Sequence, residues 1–407
     1  MDNPVTQAFP RLVYCSEAGN LFTLEPTAGL VRQLTWNWES TEKRKAMPSA
    51  SGQSVHTWPT WAPDGSRIAY FGLRGMGNST LETSLYVVTG DGVESWELVT
   101  LRNGIPIYGN WSPRGDAFAM LIQRGDRCLS LEIAYLSRPG AATTLLTGAP
   151  LFWSWSPGGD LLAAHVGGSW RVTEAARVLV LDAQSGQIVR EISSHPGDFR
   201  VPAWSPTDDL VVYVEADEEN RNNLFLIDIH TGDKGPVMTT TGNIAAVWSP
   251  DGRSLAVGCT AHPESSVSAV VKSVDLASGR ISPLLEHANI AFFWAPTRDE
   301  FLYVDVDEHG NHLRWHRLSR TSGESTELVR FLPSREQTLM FSFFDQYAVS
   351  HPPIAPDSSA LVFAGFLPGT SSPYRPITSP HIYVVPLDRA AATRSVAVGG
   401  FACWSVR

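Results

Sequence analysis

Cysteine is scarce in this chain. Only Cys15, Cys128, Cys259 and Cys403 occur among 407 residues, and no two share a Cys-x-x-Cys spacing. That pattern excludes a disulfide framework and a thiolate zinc site, and it predicts free thiols in a reducing compartment. Long apolar runs are missing too, so no helix is expected to cross a membrane. Met1-Asp2-Asn3-Pro4-Val5 has neither a basic segment nor an apolar core, so a cytoplasmic location is expected. Positive charge is in deficit: 31 Lys and Arg against 41 Asp and Glu leave a net charge of −10. Phosphate binding needs a positive field, so nucleic acid is not expected as the principal partner. The basic spot Lys43-Arg44-Lys45 follows Glu42 and reads as a solvated loop.

Catalytic motifs are absent as well. The chain has no Gly-x-Ser-x-Gly elbow and no His-Glu-x-x-His pair. Gly72-Leu73-Arg74-Gly75-Met76-Gly77 has the glycines of a phosphate loop but opens no helix. Carboxylate pairs such as Asp208-Asp209 fall on turns with no cleft implied.

What the chain has is repetition. Trp61-Ala62-Pro63-Asp64-Gly65 returns as Trp111-Ser112-Pro113-Arg114-Gly115 and Trp155-Ser156-Pro157-Gly158-Gly159. It returns again as Trp204-Ser205-Pro206-Thr207-Asp208, Trp248-Ser249-Pro250-Asp251-Gly252 and Trp294-Ala295-Pro296-Thr297-Arg298. A weaker copy, Ile354-Ala355-Pro356-Asp357, follows, and Trp404-Ser405 comes last. Proline pre-sets the first corner of a β-turn, and Asp and Gly suit the rest. Each turn leads into a short apolar run, such as Ile68-Ala69-Tyr70-Phe71 or Val211-Val212-Tyr213-Val214, that reads as a strand. Further strands and a tight turn complete each unit, and the period is 44 to 60 residues. Four antiparallel strands at a fixed period predict a β-propeller. The composition, 43% hydrophobic and 10% aromatic with 33 glycines and 28 prolines, agrees with one large all-β body.

Eight units account for residues 1–407 as one domain. The eighth is a closure blade in which 398–407 supplies the inner strand beside strands from 11–35, burying edges that invite aggregation. Seven blades is the alternative count, because the unit at 354 lacks its tryptophan. Cys15 and Cys403 fall in this closure blade, where a pairing is conceivable but buried thiols are expected.

The Trp-Ser-Pro-Asp-Gly turn followed by an aliphatic strand resembles the repeat of TolB-type propellers. It is also similar to the propeller domains of prolyl-oligopeptidase-family enzymes. The resemblance covers nearly the whole chain and implies a fold, not a job. It departs from TolB, which would carry an export signal and a second domain, and from the peptidases, whose hydrolase domain has no residues left here.

The interruptions of the repeat point to function. Long insertions, 36–55, 73–83, 167–176, 331–347 and 366–380, should all open on one face. The other face should carry only the Trp-Ser-Pro turns and tight turns at Gly92, Gly186, Gly232 and Gly279. Long loops on a rigid scaffold are where binding is built. The expected function is therefore a non-catalytic scaffold for a protein or peptide, within a larger assembly and with no cofactor. Trp36, Trp38, Phe341, Phe343, Phe344 and Tyr374 are the expected anchors.

The alternatives are a metal-dependent lyase or hydrolase working at the channel mouth, or a gating subunit for a separate peptidase. His56, His195, His287 and His351 precede or enter inner strands and could in principle ring a metal. Their offsets from the repeat tryptophan differ (5, 9, 7 and 3 residues), which sets them at different depths. Inner-strand aromatics Trp58, Tyr108, Phe152, Trp153, Phe292, Phe293 and Phe401 fit a stacking site or, more simply, a wedge between blades. Asp305-Val306-Asp307-Glu308-His309-Gly310 has the look of a calcium loop, although an acidic hairpin turn explains it as well.

Overall fold

The computed structural model describes residues 10–37, 54–76, 80–125, 128–168, 175–197, 201–219, 221–262, 265, 267–369, 379–388 and 392–407. The repeated turn forms as its residues dictate. In the copy at 248, Gly252 N–H donates to the Ser249 carbonyl (2.9 Å), and Ser249 Oγ donates to Asp251 Oδ1 (2.6 Å). Gly252 sits at φ +69, a left-handed conformation that glycine adopts without a steric penalty.

Each turn launches a four-stranded antiparallel blade. Strands Ser54–Trp61, Arg67–Met76, Thr80–Thr89 and Ser95–Leu101 make the first, in chain order from the centre outward. Among the described residues six sheets have four strands, and a seventh has seven. The long sheet is two blades joined, because the outer strand Ser325–Pro333 pairs at its tip with Ala360–Phe366 (Leu332↔Phe366, Pro333↔Gly365). The blade count is therefore eight. In that last blade the inner strand is reduced to a single bridge, Ile354↔Leu361, at the copy that lacks tryptophan. The closure is as expected: Phe401–Trp404 pairs with Leu12–Cys15, with Val13 opposite Cys403.

The repeat tryptophans join blade to blade. Their indoles wedge between sheets, and several donate to the preceding inner strand: Trp111 to the Thr60 carbonyl (2.9 Å), Trp248 to Ala203 (3.0 Å), Trp294 to Val247 (3.1 Å). Each donor and acceptor sits at the same repeat position, so one residue type repeats one joint. Arg11 adds a clamp across the closure, donating to the Gly65 carbonyl (2.7 Å) and lying 5.0 Å above the Trp61 ring. Cys15, Cys128, Cys259 and Cys403 are all free, though Cys128 is exposed and not buried as expected.

Candidate functional site: a plugged channel with a cavity on each face

The insertion 331–347 is not a surface loop. It folds into two short helices, α1 (Arg335–Ser342) and α2 (Phe344–Ser350), that fill the channel. Ser334 caps α1, its Oγ accepting from Gln337 N–H (3.0 Å) and donating to the Gly400 carbonyl (2.6 Å). Gln337 Oε1 accepts from Ala364 N–H (3.1 Å), tying α1 to the blade it interrupts. From there α2 packs on the inner strands Ile105–Trp111, Leu151–Trp155, Ile244–Trp248 and Ala291–Trp294.

The plug is held by a buried aromatic and polar cluster. Tyr108 donates to the Gln346 carbonyl (3.1 Å) and meets Ser350 Oγ at 2.8 Å. Gln346 Nε2 donates to the Trp153 carbonyl (3.0 Å). His351 is hydrogen-bonded at both nitrogens, Nδ1 with Ser350 Oγ (2.7 Å) and Nε2 with Thr60 Oγ1 (3.0 Å). Trp58, Tyr108, Tyr347 and Phe401 surround its ring. Burial pushes the His351 pKa down to about 3 and the Tyr108 pKa up to about 12, so both stay neutral.

Most of the inner-strand aromatics thus serve as core around the plug. Two of the expected anchors do the same: Phe341 and Phe344 are each only 4% exposed. Phe344 lies 4.6 Å from the Phe292 ring, and Phe341 lies 5.7 Å from Trp315. They pin the helices to the wall and present no surface to a partner. Phe343, between the helices, is 39% exposed, and Trp36 is 60% exposed. Trp38 and Tyr374 lie outside the described residues.

The four histidines do not converge. His56 Nδ1 meets the Gly19 carbonyl (3.1 Å), and burial lowers its pKa against that bond's opposite pull. His195 contacts Ser194 Oγ (2.9 Å), His287 packs on Tyr303, and His351 is inside the plug. Among the described residues no three His, Cys, Asp or Glu side chains gather as metal ligands.

The acidic stretch at 305 is also spoken for. Arg314 forks onto Asp305 at 2.8 and 2.9 Å, and His316 Nε2 adds a third contact at 3.1 Å. For Asp307, burial works to raise the pKa, but N–H bonds from Asn311 and His312 outweigh it and bring it to about 2. This is an acidic hairpin whose carboxylates face cations and backbone donors of the protein itself. Arg314→Met strands the buried Asp305 charge and should cost about 3 kcal/mol, measured as a fall in the urea midpoint.

With the plug in place, each face keeps its own cavity. On the long-loop face a cavity of about 450 Å³ is lined by Cys15, Glu17, His56, Trp58, Arg335 and Phe401, among others. Burial and then the nearby Glu336 charge push the Cys15 pKa up to about 12, which keeps this thiol protonated at neutral pH. On the turn face a funnel of about 420 Å³ runs down to α2 between the repeat tryptophans and prolines. Sequence reasoning missed this funnel, because its lining is the structural repeat itself.

The class of protein is defined by these features: an eight-bladed β-propeller with a helical plug in its channel. No protein-family model and no curated protein sequence matches it. Among solved structures it is similar to an oligogalacturonate lyase in complex with manganese, at 14% identity and TM-score 0.54, over 94% of this chain and 98% of that one. It is similar to the β-propeller domain of the Trilobed protease from Pyrococcus furiosus, at 12% identity and TM-score 0.51, over 84% and 98% of the two chains. It also resembles a prolyl endopeptidase at 14% identity and TM-score 0.53, covering 94% of itself and 54% of that enzyme. At such identities the likeness shows the fold alone: a β-propeller.

Proposed function

We propose that the chain is a non-catalytic scaffold that engages a protein partner through its long-loop face, within a larger assembly. The observation that carries this reading is a set of exposed apolar side chains at the long-loop ends of the blades and on the helix pair that enters there. Trp36 follows an outer strand, Ile105 opens an inner strand, and Leu339 and Phe343 lie on the exposed side of the helix pair; all are 39% exposed or more. Exposed aromatic and aliphatic side chains around a rigid centre are the usual anchors of a protein interface. The helix pair supplies that rigidity, since its other side is the buried cluster around His351.

A cytoplasmic location belongs to the same proposal and is supported by four free thiols. Among the described residues no helix is long and apolar enough to cross a membrane. The manganese-containing lyase shares the fold, but no arrangement of the four candidate histidines favours a lyase reading here.

The test is cross-linked capture from the native cell. Wild type should retain a stoichiometric protein partner, and the double variant Trp36→Ala, Phe343→Ala should retain at most about one tenth of it, since two hot-spot truncations cost about 2 kcal/mol or more together. Equal retention by both, with equal thermal midpoints, sinks the proposal.

A further inference from the structure

The long-loop cavity holds a carboxylate that the protein leaves unpaired. Glu336, the second residue of α1, is half-buried. Its carboxylate lies over Gly400, where an added Cβ would meet Oε2 at 2.7 Å, and its charge reaches the Cys15 thiol. Both neighbours line the cavity, so the carboxylate is directed into it. Neither oxygen accepts a hydrogen bond or joins an ion pair among the described residues. Elsewhere the protein pairs such groups: Asp305 with Arg314, Glu132 with Arg124, Glu215 with Lys234. Arg335 does not serve here, because consecutive helical residues stand about 100° apart around the axis and do not face each other.

Two further features set this cavity apart. Trp58, half-buried in its wall, is held at φ +51 in a bulge between Thr57 and Thr60. A bulky side chain seldom takes that conformation, and such strain collects at ligand clamps. His56, 9% exposed, also lines the cavity. Its Nδ1 donates to the Gly19 carbonyl, and burial keeps the ring neutral at pH 7. Nε2 is thereby left an acceptor, with no partner among the described residues.

These groups select by sign and by shape. The described lining holds two carboxylates, Glu17 and Glu336, against the single cation Arg335, in a chain of net charge −10. An anion would be repelled. An apolar group alone would strip water from Glu336 and put no donor in its place. A guanidinium fits: its planar fork matches both free oxygens of a carboxylate and keeps N–H groups for a second acceptor. Its weakly hydrated plane also packs on aromatic walls, whereas an ammonium offers the charge without the fork.

We propose that the cavity is a socket for an arginine side chain of the docking partner. Glu336 holds the guanidinium, and the wall of Trp58 and Phe401 covers the stem. This rests on the docking-face reading above and adds the chemistry that the partner must carry there.

The experiment is calorimetric titration of the full chain with the blocked peptide acetyl-Ala-Arg-Ala-amide. The matching citrulline peptide, similar in shape but uncharged, and the lysine peptide are the controls. Wild type should bind the arginine peptide saturably, one per chain, and each control about 10-fold more weakly or worse, the scale of one charge-assisted hydrogen bond. Glu336→Gln should lose about 10-fold in affinity with the thermal midpoint unchanged. Val55→Trp, at a lining position 47% exposed, should fill the socket and abolish binding. The Trp36→Ala, Phe343→Ala variant should bind the peptide as wild type does. In capture from the native cell, Glu336→Gln should retain at most about one tenth of the partner. Full retention by Glu336→Gln, while the Trp36→Ala, Phe343→Ala variant loses the partner, would overturn the socket and leave the docking face standing. Equal affinity for the arginine and citrulline peptides, an unaltered affinity in Glu336→Gln, or no saturable binding at millimolar concentration would each overturn it too. Tighter binding of free agmatine than of the peptide, with no partner captured, would make the ligand a small molecule and overturn the assignment to a partner.

Discussion

Between pH 6.5 and pH 5 the chain should lose folding stability through one side chain, His351, at a slope that rises from about 0.7 to about 1.4 kcal/mol per pH unit. Burial inside the plug keeps this imidazole neutral, with its pKa lowered to about 3 from the ordinary 6.5. In the unfolded chain it takes up a proton once the pH falls below about 6.5. Native protein binds none until far lower, so the unfolded state binds more protons and gains on acidification. The stability is therefore fully present above the unfolded value and is lost progressively down to the native one. His56, also lowered by burial, acts in the same direction. The groups around His351 do not confuse the reading, since its titratable neighbours Tyr108 and Tyr347 are both raised and stay protonated. Urea unfolding at pH 7 and pH 5 checks it. His351→Gln should begin less stable at pH 7, because Ser350 and Thr60 lose a partner, and should then show the shallower slope. Parallel slopes in variant and wild type would mean that the His351 ring is not sealed from water.

Removing residues 401–407 should abolish cooperative folding. Phe401, Ala402, Cys403 and Trp404 are all 3% exposed or less, and they form the inner strand of the closure blade. Truncating a buried Phe or Trp to Ala costs about 3–5 kcal/mol each. Two such losses, together with an opened ring, match the whole stability of about 5–15 kcal/mol of an ordinary fold. The strand's backbone partners on Leu12–Cys15 would also be bared, leaving an edge fit for aggregation. Trp404→Ala alone is the graded version, with a loss of about 3–5 kcal/mol in the urea transition. A truncated chain with the wild-type circular dichroism and unfolding midpoint would show that the ring does not depend on this closure.

The blades were legible because their signals are local. A Trp-Ser-Pro-Asp-Gly turn specifies its own geometry from five consecutive residues, and repetition multiplies that signal. The closure was legible for a related reason, since Trp404 and the strands at 12–15 and 21–25 complete a unit that neither end completes alone. The helix pair carries its own signal, although the strand-rich surroundings favour a loop there. Ser334-Arg335-Glu336-Gln337 has the spacing of a helix-capping sequence. Met340, Phe341, Phe344 and Tyr347 then recur at helical intervals, and all four are buried. In a chain of strands that 3.6-residue period was the signal to weigh.

The candidate sites were less legible, for physical reasons. Phe341 and Phe344 look like exposed anchors only if the insertion stays on the surface; a segment rich in Phe instead buries itself in the nearest apolar cavity, here the channel. His351 and Asp305 look reactive as residue types, yet each is matched by partners that no spacing rule announces: Thr60 for the first, Arg314 and His316 for the second. The turn-face funnel was hidden because residues repeated for structural reasons do not stand out as the lining of a cavity. Only the ring arrangement brings Trp61, Trp155 and Trp248 to one opening, and only the plug sets Asp345 at its base.

The central claim is that a protein partner docks on the long-loop face. Amide hydrogen exchange of the chain alone and with the partner recovered from its native cell tests it most directly. The account predicts added protection at Trp36 and Ile105 and along α1 through Phe343, with the turns at Gly92, Gly186, Gly232 and Gly279 unchanged. Protection confined to those turns, or absent from both faces in a stoichiometric complex, would contradict it.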